Sequence, residues 1–373
     1  MVPEVVIAGG GPAGAVAALV LARRGVSVTV LESRIAPERK VGECLPPNLS
    51  PLLRHLGLED LLLRDGHLRS LGNRFVWGSP QPGERPFLTG TQGDGWHVDR
   101  LVFESRLAER AREAGAEWRW DCRFARCDRL GDGWSLELED GETLRAGFVA
   151  DATGRTARLA RRLGARRVRY DRLVGVTALL GSRTPDADTY TLVEAVPDGW
   201  WYSALLADGR LAVAFMTDGD LLDPELREGD GWRRALGSTE TTRARVEEHR
   251  YTLGEPPRVL PAETSRLDTI SGDGWLALGD AAAAYDPLSS HGIGSAMGSG
   301  FYAGNAIADL LAGNPEAKLA YLEVMQRSYG ACLDLQRHHY AQERRWLDTP
   351  FWSRRQCESY CFEPLDQASQ FTK

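Results

Sequence analysis

The stretch VVIAGGGPAGAVAALVLARRGVSVTVLE, residues 5–32, decides the fold of this chain. A short apolar strand leads into a glycine turn, a helix of small and aliphatic residues follows, and a second buried strand ends at Glu32. In such a turn Gly9, Gly11 and Gly14 allow a tight bend, close approach of the backbone to a pyrophosphate, and close packing of the helix on the strand. Glu32, eighteen residues beyond Gly14, can accept hydrogen bonds from ribose hydroxyls. The stretch therefore predicts a dinucleotide-binding α/β unit.

Composition excludes several classes of protein. The 373 residues are 43% hydrophobic, which is enough for one large or two interleaved domains. The net charge of −7 and the dispersed arginines argue against a nucleic-acid partner. The uncharged run at residues 5–22 is broken by glycines and a proline, so we predict neither an export signal nor a membrane anchor. We predict no metal, and free thiols in a reducing cytoplasm, because no metal-ligand spacing links Cys44, Cys122, Cys127, Cys332, Cys357 and Cys361.

Two later turns share one pattern, in which a buried strand ends in small residues and one acidic side chain. They are VADATGR at residues 149–155 and LALGDAA at residues 276–282. Asp280 can accept hydrogen bonds from the ribityl hydroxyls of a flavin, and the turn at residues 287–294 can direct backbone N–H groups at the electron-poor end of an isoalloxazine. We therefore predict FAD rather than NAD. We expect the FAD to be non-covalent, because no histidine or cysteine lies in the glycine turns where a covalent link would form.

These motifs resemble the flavin-dependent monooxygenase and halogenase superfamily with the hydroxybenzoate-hydroxylase type of FAD domain, and the similarity extends to about Leu311. The segments that carry it are GGGPAGAVAA, ESR, VGECLPP, DRLVFESRL, ADATGR and ALGDAAAAYDPLSSHGIG. The Gly-Glu-Cys-Leu-Pro-Pro loop, the chain length and DPLSSHGIG are most similar to the halogenase-like flavoproteins that accompany quinone-cofactor amine and amino-acid oxidases. That subgroup implies oxygenation of a protein-bound tryptophan during cofactor maturation.

The predicted fold class is α/β, with a Rossmann-like FAD-binding domain of the glutathione-reductase and hydroxybenzoate-hydroxylase type. An antiparallel β-sheet inserted in this framework builds the substrate domain, because short strand-like runs alternate with Asp-Gly turns. A C-terminal helical segment completes the chain. The predicted boundaries are 1–73, 95–165 and 261–314 for the FAD domain, 74–94 and 166–260 for the substrate domain, and 315–373 for the C-terminal segment.

The resemblance implies a set of cofactor contacts. Glu32 and the glycine turn would hold the adenosine half, Arg100 the phosphate-ribose region and Asp280 the ribityl chain, with Arg34 beside the adenosine. The alternative for Arg100 is a solvated arginine at a helix start. The full predicted set is Gly9, Gly11, Pro12, Ala13, Gly14, Glu32, Ser33, Arg34, Glu43, Cys44, Arg100, Asp151, Gly154, Gly279, Asp280, Pro287, Gly292 and Ile293.

For hydroxylation, reduced FAD would react with oxygen to give a C4a-hydroperoxide, whose distal oxygen is attacked by an electron-rich ring such as indole or phenol. The protein then has to exclude water, hold the ring and remove a proton from it. Glu43 and His291 are the candidate catalytic residues, since each lies in a loop expected at the flavin and titrates in a useful range when partly desolvated. The alternatives are that Glu43 only orders the turn at Pro46 and Pro47, and that His291 only opens the next helix.

The candidate substrate residues are Trp200, Trp201 and Tyr202, which alternate along a predicted strand. At least one of them should face the substrate, although an aromatic strand is also typical of plain core. In place of the halogenase Trp-x-Trp-x-Ile-Pro signature, residues 200–205 read WWYSAL. A halogenase also needs a lysine beyond the Gly-Glu loop, and no lysine lies between Leu45 and Pro315. Halogenation is therefore disfavoured.

Several functions stay open at this point. The favoured one is hydroxylation of a tryptophan side chain on a peptide or protein, and the first alternative is hydroxylation of a small aromatic natural-product intermediate. An FAD-dependent reductase or dehydrogenase of the isoprenoid-saturating type is favoured if aliphatic groups alone line the cavity. A scaffold that uses FAD only for structure is the non-enzymatic alternative. NADH or NADPH is the expected electron source, directly or through a flavin reductase.

The segment from His338 to Pro364 mixes arginines with aromatic residues, a composition typical of recognition surfaces. We expect it to receive a polypeptide substrate, so that deletion after Thr349 removes activity on the partner and leaves FAD binding intact. The alternative is a segment whose aromatic side chains are buried on the FAD domain. Its aromatic residues are Trp346, Phe351, Trp352, Tyr360 and Phe362.

Overall fold

The computed structural model describes residues 3–36, 38, 40–90 and 92–357. The strands are β1 (Val5–Ala8), β2 (Val28–Leu31), β3 (Cys44–Leu45), β4 (Leu68–Ser70), β5 (Gly72–Val76), β6 (Gly83–Pro86), β7 (Gly95–His97), β8 (Glu117–Arg119), β9 (Phe124–Leu130), β10 (Gly133–Leu138), β11 (Thr143–Ala146), β12 (Phe148–Asp151), β13 (Arg167–Arg169), β14 (Leu173–Gly181), β15 (Thr191–Val196), β16 (Gly199–Leu205), β17 (Leu211–Asp218), β18 (Thr252–Leu253), β19 (Arg258–Pro261), β20 (Ser265–Leu267), β21 (Ser271–Gly272), β22 (Trp275–Ala277) and β23 (Ala283–Ala284).

The helices are α1 (Pro12–Arg23), α2 (Ser50–Leu56), α3 (Asp60–Arg64), α4 (Arg100–Glu113), α5 (Arg158–Arg162), α6 (Gly229–Gly237), α7 (Thr241–Glu248), α8 (Gly292–Leu311), α9 (Glu316–Gln342) and α10 (Pro350–Arg355). Short 3-10 helices span Pro47–Leu49, Phe87–Thr89, Gly154–Thr156, Pro224–Arg227, Gly279–Ala281 and Pro287–Ser289. The strand, helix and strand predicted from the opening stretch are confirmed as β1, α1 and β2.

The first sheet has the order β21-β22-β12-β1-β2-β8. Its strands from β22 to β8 pair in parallel, and β21 pairs antiparallel to β22. Every residue of β1, β2, β12 and β22 is buried, which is typical of a parallel sheet covered on both faces. The predicted Rossmann-like unit is confirmed.

Helices α1 and α8 pack closely together beside this sheet because α8 is rich in small residues. A Cβ on Gly300 would lie 2.2 Å from the backbone oxygen of Ala13, so only glycine permits this helix spacing. The contact brings the start of α1 and the start of α8 together, although they are nearly three hundred residues apart in the chain.

The second sheet has the order β18-β14-β17-β16-β15-β5-β6, with β19 beside β14. Its pairs are antiparallel apart from β15 with β5. Three smaller sheets have the orders β11-β10-β9, β13-β20-β23 and β3-β7-β4. The predicted fold class, α/β with an antiparallel substrate sheet and C-terminal helices, is confirmed, while the exact domain boundaries stay a prediction.

The second sheet is covered on both faces. One face carries a core with Trp200, Tyr340 and Trp352, which brings together β16, α9 and α10. The other face carries a core with Trp201 and Trp232. The C-terminal helix α10 therefore packs on the second sheet, not on the FAD domain as the buried alternative supposed.

Candidate active site

A cavity of about 700 Å³ is lined by residues from both large sheets. On one side it meets Gly9, Glu32, Ala152 and Leu278, each of which directly follows one of the parallel strands β1, β2, β12 and β22. Because parallel strands point the same way, their carboxyl ends meet at one edge of the sheet, where α/β proteins bind ligands. The volume lies within the range of small-molecule and cofactor sites.

The glycine turn contains one open position and two crowded ones. A Cβ on Gly9 would lie 2.2 Å from the backbone oxygen of Ala152, and a Cβ on Gly14 would lie 2.0 Å from the backbone oxygen of Gly9. A Cβ on Gly11 meets no atom within 4 Å, and Gly11 lines the cavity. No side chain caps the start of α1, so its first N–H groups are available to an anion. The turn therefore fits the pyrophosphate of a dinucleotide.

Glu32 is buried beside this turn, at the end of β2. Its Oε2 accepts the N–H of Gly10 at 2.9 Å, and its Oε1 accepts the N–H of Arg34 at 3.0 Å. A carboxylate has about four acceptor positions, so Glu32 shapes the turn and keeps acceptor capacity for ribose hydroxyls. Ser33 and Arg34 also line the cavity at this end.

The side chain of Arg100 is only 11% exposed and lines the cavity. Its Nε donates to Glu104 at 3.0 Å, and its Nη1 donates to the carbonyl oxygens of Val41 and Gly42 at 2.9 and 3.0 Å. The alternative of a solvated arginine is therefore wrong. Arg100 fastens the start of α4 to the loop that carries Glu43.

Glu43 is 4% exposed and lines the cavity. Burial raises the pKa of its carboxyl above the ordinary value, against the opposing charge of Arg100. Burial also raises the pKa of the neighbouring Cys44 thiol to about 11, so this cysteine is a neutral thiol at pH 7. Glu43 is thus a buried acid of the cavity wall whose affinity for a proton is raised.

His291 lies in the predicted turn but not in the cavity wall, where its neighbours Ser290 and Gly292 stand instead. Its Nε2 is 3.4 Å from Nδ2 of Asn48, and its Nδ1 is buried with no hydrogen-bond partner among the described residues. The geometry therefore does not favour His291 as a base for a ring bound in the cavity. His291 occupies the position before the first residue of α8, which agrees with the alternative that it only opens this helix.

The far end of the wall is the start of α8, where Pro287, Gly292 and Ile293 line the cavity. No side chain caps this helix of 20 residues. Its N-terminal N–H groups and partial positive charge are therefore free of a side-chain cap where this helix meets the cavity. Asp280 lines the cavity close to this end, and Arg155 Nε lies 3.9 Å from its carboxylate.

Strand β16 divides the three predicted substrate residues between two faces. Trp200 and Tyr202 line the cavity. Trp201 is 1% exposed on the opposite face, where it stacks on Phe215 at 5.0 Å between ring centroids and meets Trp232 edge-on. Because successive strand residues point to opposite faces, the prediction of Trp201 as a substrate residue is wrong.

Three other predicted contacts lie behind the cavity wall. The carboxylate of Asp151 accepts the N–H groups of Thr153 and Ala160 at 2.9 and 2.7 Å, so it orders its own turn. Gly14 packs α1 on β1, and a Cβ on Gly279 would lie 2.6 Å from the Cβ of Ala13. These residues shape the cavity without lining it. The predicted residues that line it are Gly9, Gly11, Pro12, Ala13, Glu32, Ser33, Arg34, Glu43, Cys44, Arg100, Gly154, Asp280, Pro287, Gly292, Ile293, Trp200 and Tyr202.

Some lining residues were not predicted. Arg155 follows Gly154 in the quoted ADATGR segment and lines the cavity, where its Nη2 donates to the backbone oxygen of Tyr285 at 3.0 Å. Because Arg155 directly follows the predicted contact Gly154, the sequence could have identified it as a lining residue. Small residues of the second sheet carry no such signal, because strand alternation does not say which face meets a ligand. They include Gly175, Ala178, Ala212 and Ala214.

Within the described part of the chain, no group of His, Cys, Asp and Glu side chains could hold a metal ion. No described helix is long and apolar enough to cross a membrane.

The nucleotide turn, the acid at the end of β2 and the uncapped helix at the opposite wall define the class of this protein, an FAD-dependent oxidoreductase. The tryptophan halogenase family matches residues 4–94 and 79–371. The chain belongs to the tryptophan halogenase family. The predicted resemblance to the flavin-dependent halogenase and monooxygenase superfamily is confirmed.

Individual relatives differ in their chemistry. LodB of Marinomonas mediterranea, described as an FAD-dependent oxidoreductase, is 29% identical over 377 residues, 98% of this chain and 99% of the relative. The tryptophan 2-halogenase of Chondromyces crocatus is 27% identical over 352 residues, 87% of this chain and 65% of that protein. The solved structure of QhpG, a peptidyl tryptophan dihydroxylase essential for tryptophylquinone cofactor biogenesis, is 27% identical with a TM-score of 0.77, over 95% of this chain and 79% of that one. The myxobacterial chondrochloren halogenase CndH shares the fold, with a TM-score of 0.85 at 23% identity, over 99% of this chain and 88% of that one.

Proposed function

We propose that this protein is an FAD-dependent monooxygenase that hydroxylates an electron-rich aromatic ring, the side chain of a tryptophan presented on a peptide or protein. The observation that carries the proposal is the cavity. The cavity extends from the glycine turn to the second sheet. The part of its wall formed by the second sheet is aromatic at Trp200 and Tyr202 and contains no lysine among the described residues.

The overall reaction is balanced by molecular oxygen and a reduced nicotinamide. One oxygen atom enters a ring C–H bond and forms C–OH, and the other leaves as water. The two electrons come from NADH or NADPH, either directly or through a separate flavin reductase. Bound FAD supplies the activation of oxygen.

Residues of this chain bind the cofactor, hold the substrate ring and remove its proton. Gly11 and the start of α1 receive the pyrophosphate, and Glu32 receives the ribose. Trp200 and Tyr202 bound the space for the substrate ring. Glu43 takes the proton that the substituted ring carbon releases, since its carboxyl lines the cavity and burial raises its pKa above the ordinary value.

Halogenation needs a lysine in the substrate region, and the two lysines in the described part of the chain have partners elsewhere. Lys40 lines the cavity at the Arg100 side, where its Nζ pairs with Glu104. The Nζ of Lys318 on α9 lies 3.4 Å from the backbone oxygen of Gly272. Lys373 is outside the described residues. This distribution supports oxygen insertion over halide insertion.

A polypeptide substrate is supported by the likeness to QhpG, whose own substrate is a peptidyl tryptophan. A cavity lined only by aliphatic groups would favour the isoprenoid-reductase alternative, but Trp200, Tyr202 and Tyr285 make this cavity partly aromatic. An aromatic wall is equally compatible with a small aromatic substrate, which the experiment therefore has to separate.

The test incubates the holoenzyme with NADH or NADPH, a flavin reductase, isotope-labelled oxygen and bromide. The substrates are a tryptophan-containing peptide and free tryptophan. We expect substrate-dependent oxygen consumption and labelled oxygen in the polypeptide. A brominated product overturns the proposed reaction, and hydroxylation of free tryptophan as efficient as that of any polypeptide overturns the polypeptide substrate.

A further inference from the structure

The cavity wall on the second sheet is built for a flat ring. Small side chains line it over a broad area, beside the indole of Trp200. Met216 adds a flexible thioether to the same wall. A surface of this kind offers dispersion contacts to an aromatic ring and little polar anchoring. The small lining residues on the face of Trp200 and Tyr202 are Gly175, Ala212 and Ala214.

Tyr202 interrupts this apolar surface. Its hydroxyl oxygen is buried and has no hydrogen-bond partner among the described residues. A buried hydroxyl without a partner costs about 1–3 kcal/mol, and native proteins retain few of them unless a ligand, ion or water satisfies the group. Burial, together with the charge of Glu43 and Cys44, raises the pKa of Tyr202 well above its ordinary value. The group in the wall is therefore a neutral hydroxyl that can accept a hydrogen bond.

Other polar groups of this wall already have partners. The hydroxyl of Thr177 lies 3.3 Å from the backbone oxygen of Arg258. The indole N–H of Trp200 donates to the hydroxyl of Tyr340 at 3.0 Å. Within the described part of this wall, the Tyr202 hydroxyl is the side-chain group left for a bound molecule.

We infer that the Tyr202 hydroxyl accepts the ring N–H of the substrate and selects an indole over aromatic rings that lack this donor. The inference rests on the proposed function and deepens it, because it names the ring N–H as the substrate group that the site recognises. A site built to hydrogen-bond a substrate N–H rejects an analogue without it, since the protein group is then left unpaired. Fixing the N–H edge also fixes which ring carbons face the cofactor, so Tyr202 acts as a specificity-determining residue.

The experiment compares two peptides that differ in one ring atom. One carries tryptophan, and the other carries benzothienylalanine, in which sulfur replaces the N–H. Binding to the oxidised holoenzyme is followed by the change in flavin absorbance, for the wild type, Tyr202→Phe and Tyr302→Phe. Tyr302 is an exposed tyrosine of α8, so its variant is the matched control for loss of one hydroxyl.

We expect the wild type and Tyr302→Phe to bind the tryptophan peptide at least about 10-fold more tightly than the analogue. Tyr202→Phe should lose about that factor for the tryptophan peptide and bind the analogue as the wild type does. Its thermal midpoint should not fall, because the hydroxyl has no partner within the described protein that could be lost.

Equal binding of the two peptides by the wild type, or unchanged discrimination in Tyr202→Phe, overturns the inference. Oxygen insertion into the tryptophan peptide by the wild type is measured in the same preparations. Its absence contradicts the proposed function, whereas oxygen insertion by a wild type that binds both peptides equally, or beside a Tyr202→Phe variant that still discriminates, contradicts only the role of Tyr202.

Discussion

Gly11 and Gly14 lie three residues apart and differ in what surrounds them. Gly11 has open cavity around it, whereas Gly14 touches the backbone of Gly9. Side chains at these positions should therefore damage different properties of the protein, namely cofactor binding at Gly11 and folding at Gly14.

Gly11→Val should fold normally and lose FAD, because its side chain fills the space for the pyrophosphate. Gly14→Val should lose more than about 3 kcal/mol of folding free energy, because the backbone oxygen of Gly9 has no room to move. Flavin absorbance and thermal unfolding of the two variants measure the difference. A Gly11→Val protein that stays yellow would contradict the assigned turn.

Glu43→Gln should retain FAD and lower the rate of oxygen insertion by about 10²-fold or more, because the ring proton loses its acceptor. As a base, Glu43 works only when ionised, and its pKa is raised. The wild-type rate should therefore rise with pH through a limb above the ordinary glutamate pKa, and the variant should lack this limb. Glu323→Gln, an exposed change on α9, is the control. An unchanged pH profile in Glu43→Gln would assign the base elsewhere.

At the scale of elements, three consecutive hydrogen bonds connect strand β16, helix α9 and the turn before α8. Trp200 on β16 donates to the hydroxyl of Tyr340 on α9, and this hydroxyl donates to Oδ2 of Asp286 at 2.7 Å. Oδ1 of Asp286 accepts the N–H of Leu288 at 2.8 Å, in the turn that leads to α8. One carboxyl therefore links two parts of the cavity wall, β16 and the turn that precedes α8.

Burial, with the charge of Asp171 adding to it, raises the pKa of Asp286 to about 7, although Tyr340 and Arg355 oppose the rise. Between about pH 4 and 7 the folded protein binds more protons at this site than the unfolded chain, so its contribution to the free energy of unfolding falls as pH rises. Asp286→Asn should remove this decline, which amounts to no more than about 4 kcal/mol. Denaturant unfolding at pH 4.5 and 7 tests it, and equal pH dependence in both proteins would contradict the raised pKa.

Helix α10 belongs to the core rather than to an exposed recognition surface. Phe351 and Trp352 are buried against Tyr340 and Trp200, and the indole N–H of Trp352 donates to the backbone oxygen of Val196 at 2.8 Å. Arg355 is buried too, and pairs with Asp218 at 2.7 Å. For these residues the expected recognition role is wrong. Tyr360 and Phe362 lie outside the described residues.

Deletion after Thr349 should therefore unfold or aggregate the protein instead of removing activity alone. Trp352→Ala should cost about 3–5 kcal/mol, in line with other buried aromatic truncations. Deletion of residues 358–373 keeps α10 with its contacts among the described residues and should leave a folded, FAD-binding protein. Thermal unfolding separates the two deletions. A deletion at Thr349 as stable as the wild type would contradict the core role of α10.

At the scale of the whole molecule, the cavity is shared by the parallel sheet and the second sheet. A cofactor bound there contacts both, so FAD should stabilise the entire fold. At free FAD 100-fold above its dissociation constant, the gain is about 2.7 kcal/mol.

We expect the apoprotein to melt at a lower temperature than the holoprotein, and re-addition of FAD to restore the midpoint. Acid precipitation should release the flavin into the supernatant, since the predicted attachment is non-covalent. Calorimetry measures the thermal midpoints of the apoprotein and the holoprotein. Flavin absorbance of the supernatant and the pellet measures the release. Flavin that stays with the pellet would contradict the non-covalent prediction.

The sequence by itself determined the FAD-type unit and the fold class. A glycine spacing, a helix start and a buried strand that ends in an acid are local patterns, and residues close in the chain are held together by the covalent backbone. For this reason Gly9, Gly11 and Glu32 could be assigned to one turn without a structure.

Only the tertiary structure decided which face of β16 meets the cavity. Strand alternation separates Trp201 from Trp200 and Tyr202, but both faces of the second sheet are covered, so polarity does not mark the inside. The burial of Trp352 and the link from Asp286 to Tyr340 join residues far apart in the chain. Such contacts depend on how the sheets and helices pack against one another, and no local pattern in the sequence encodes that packing.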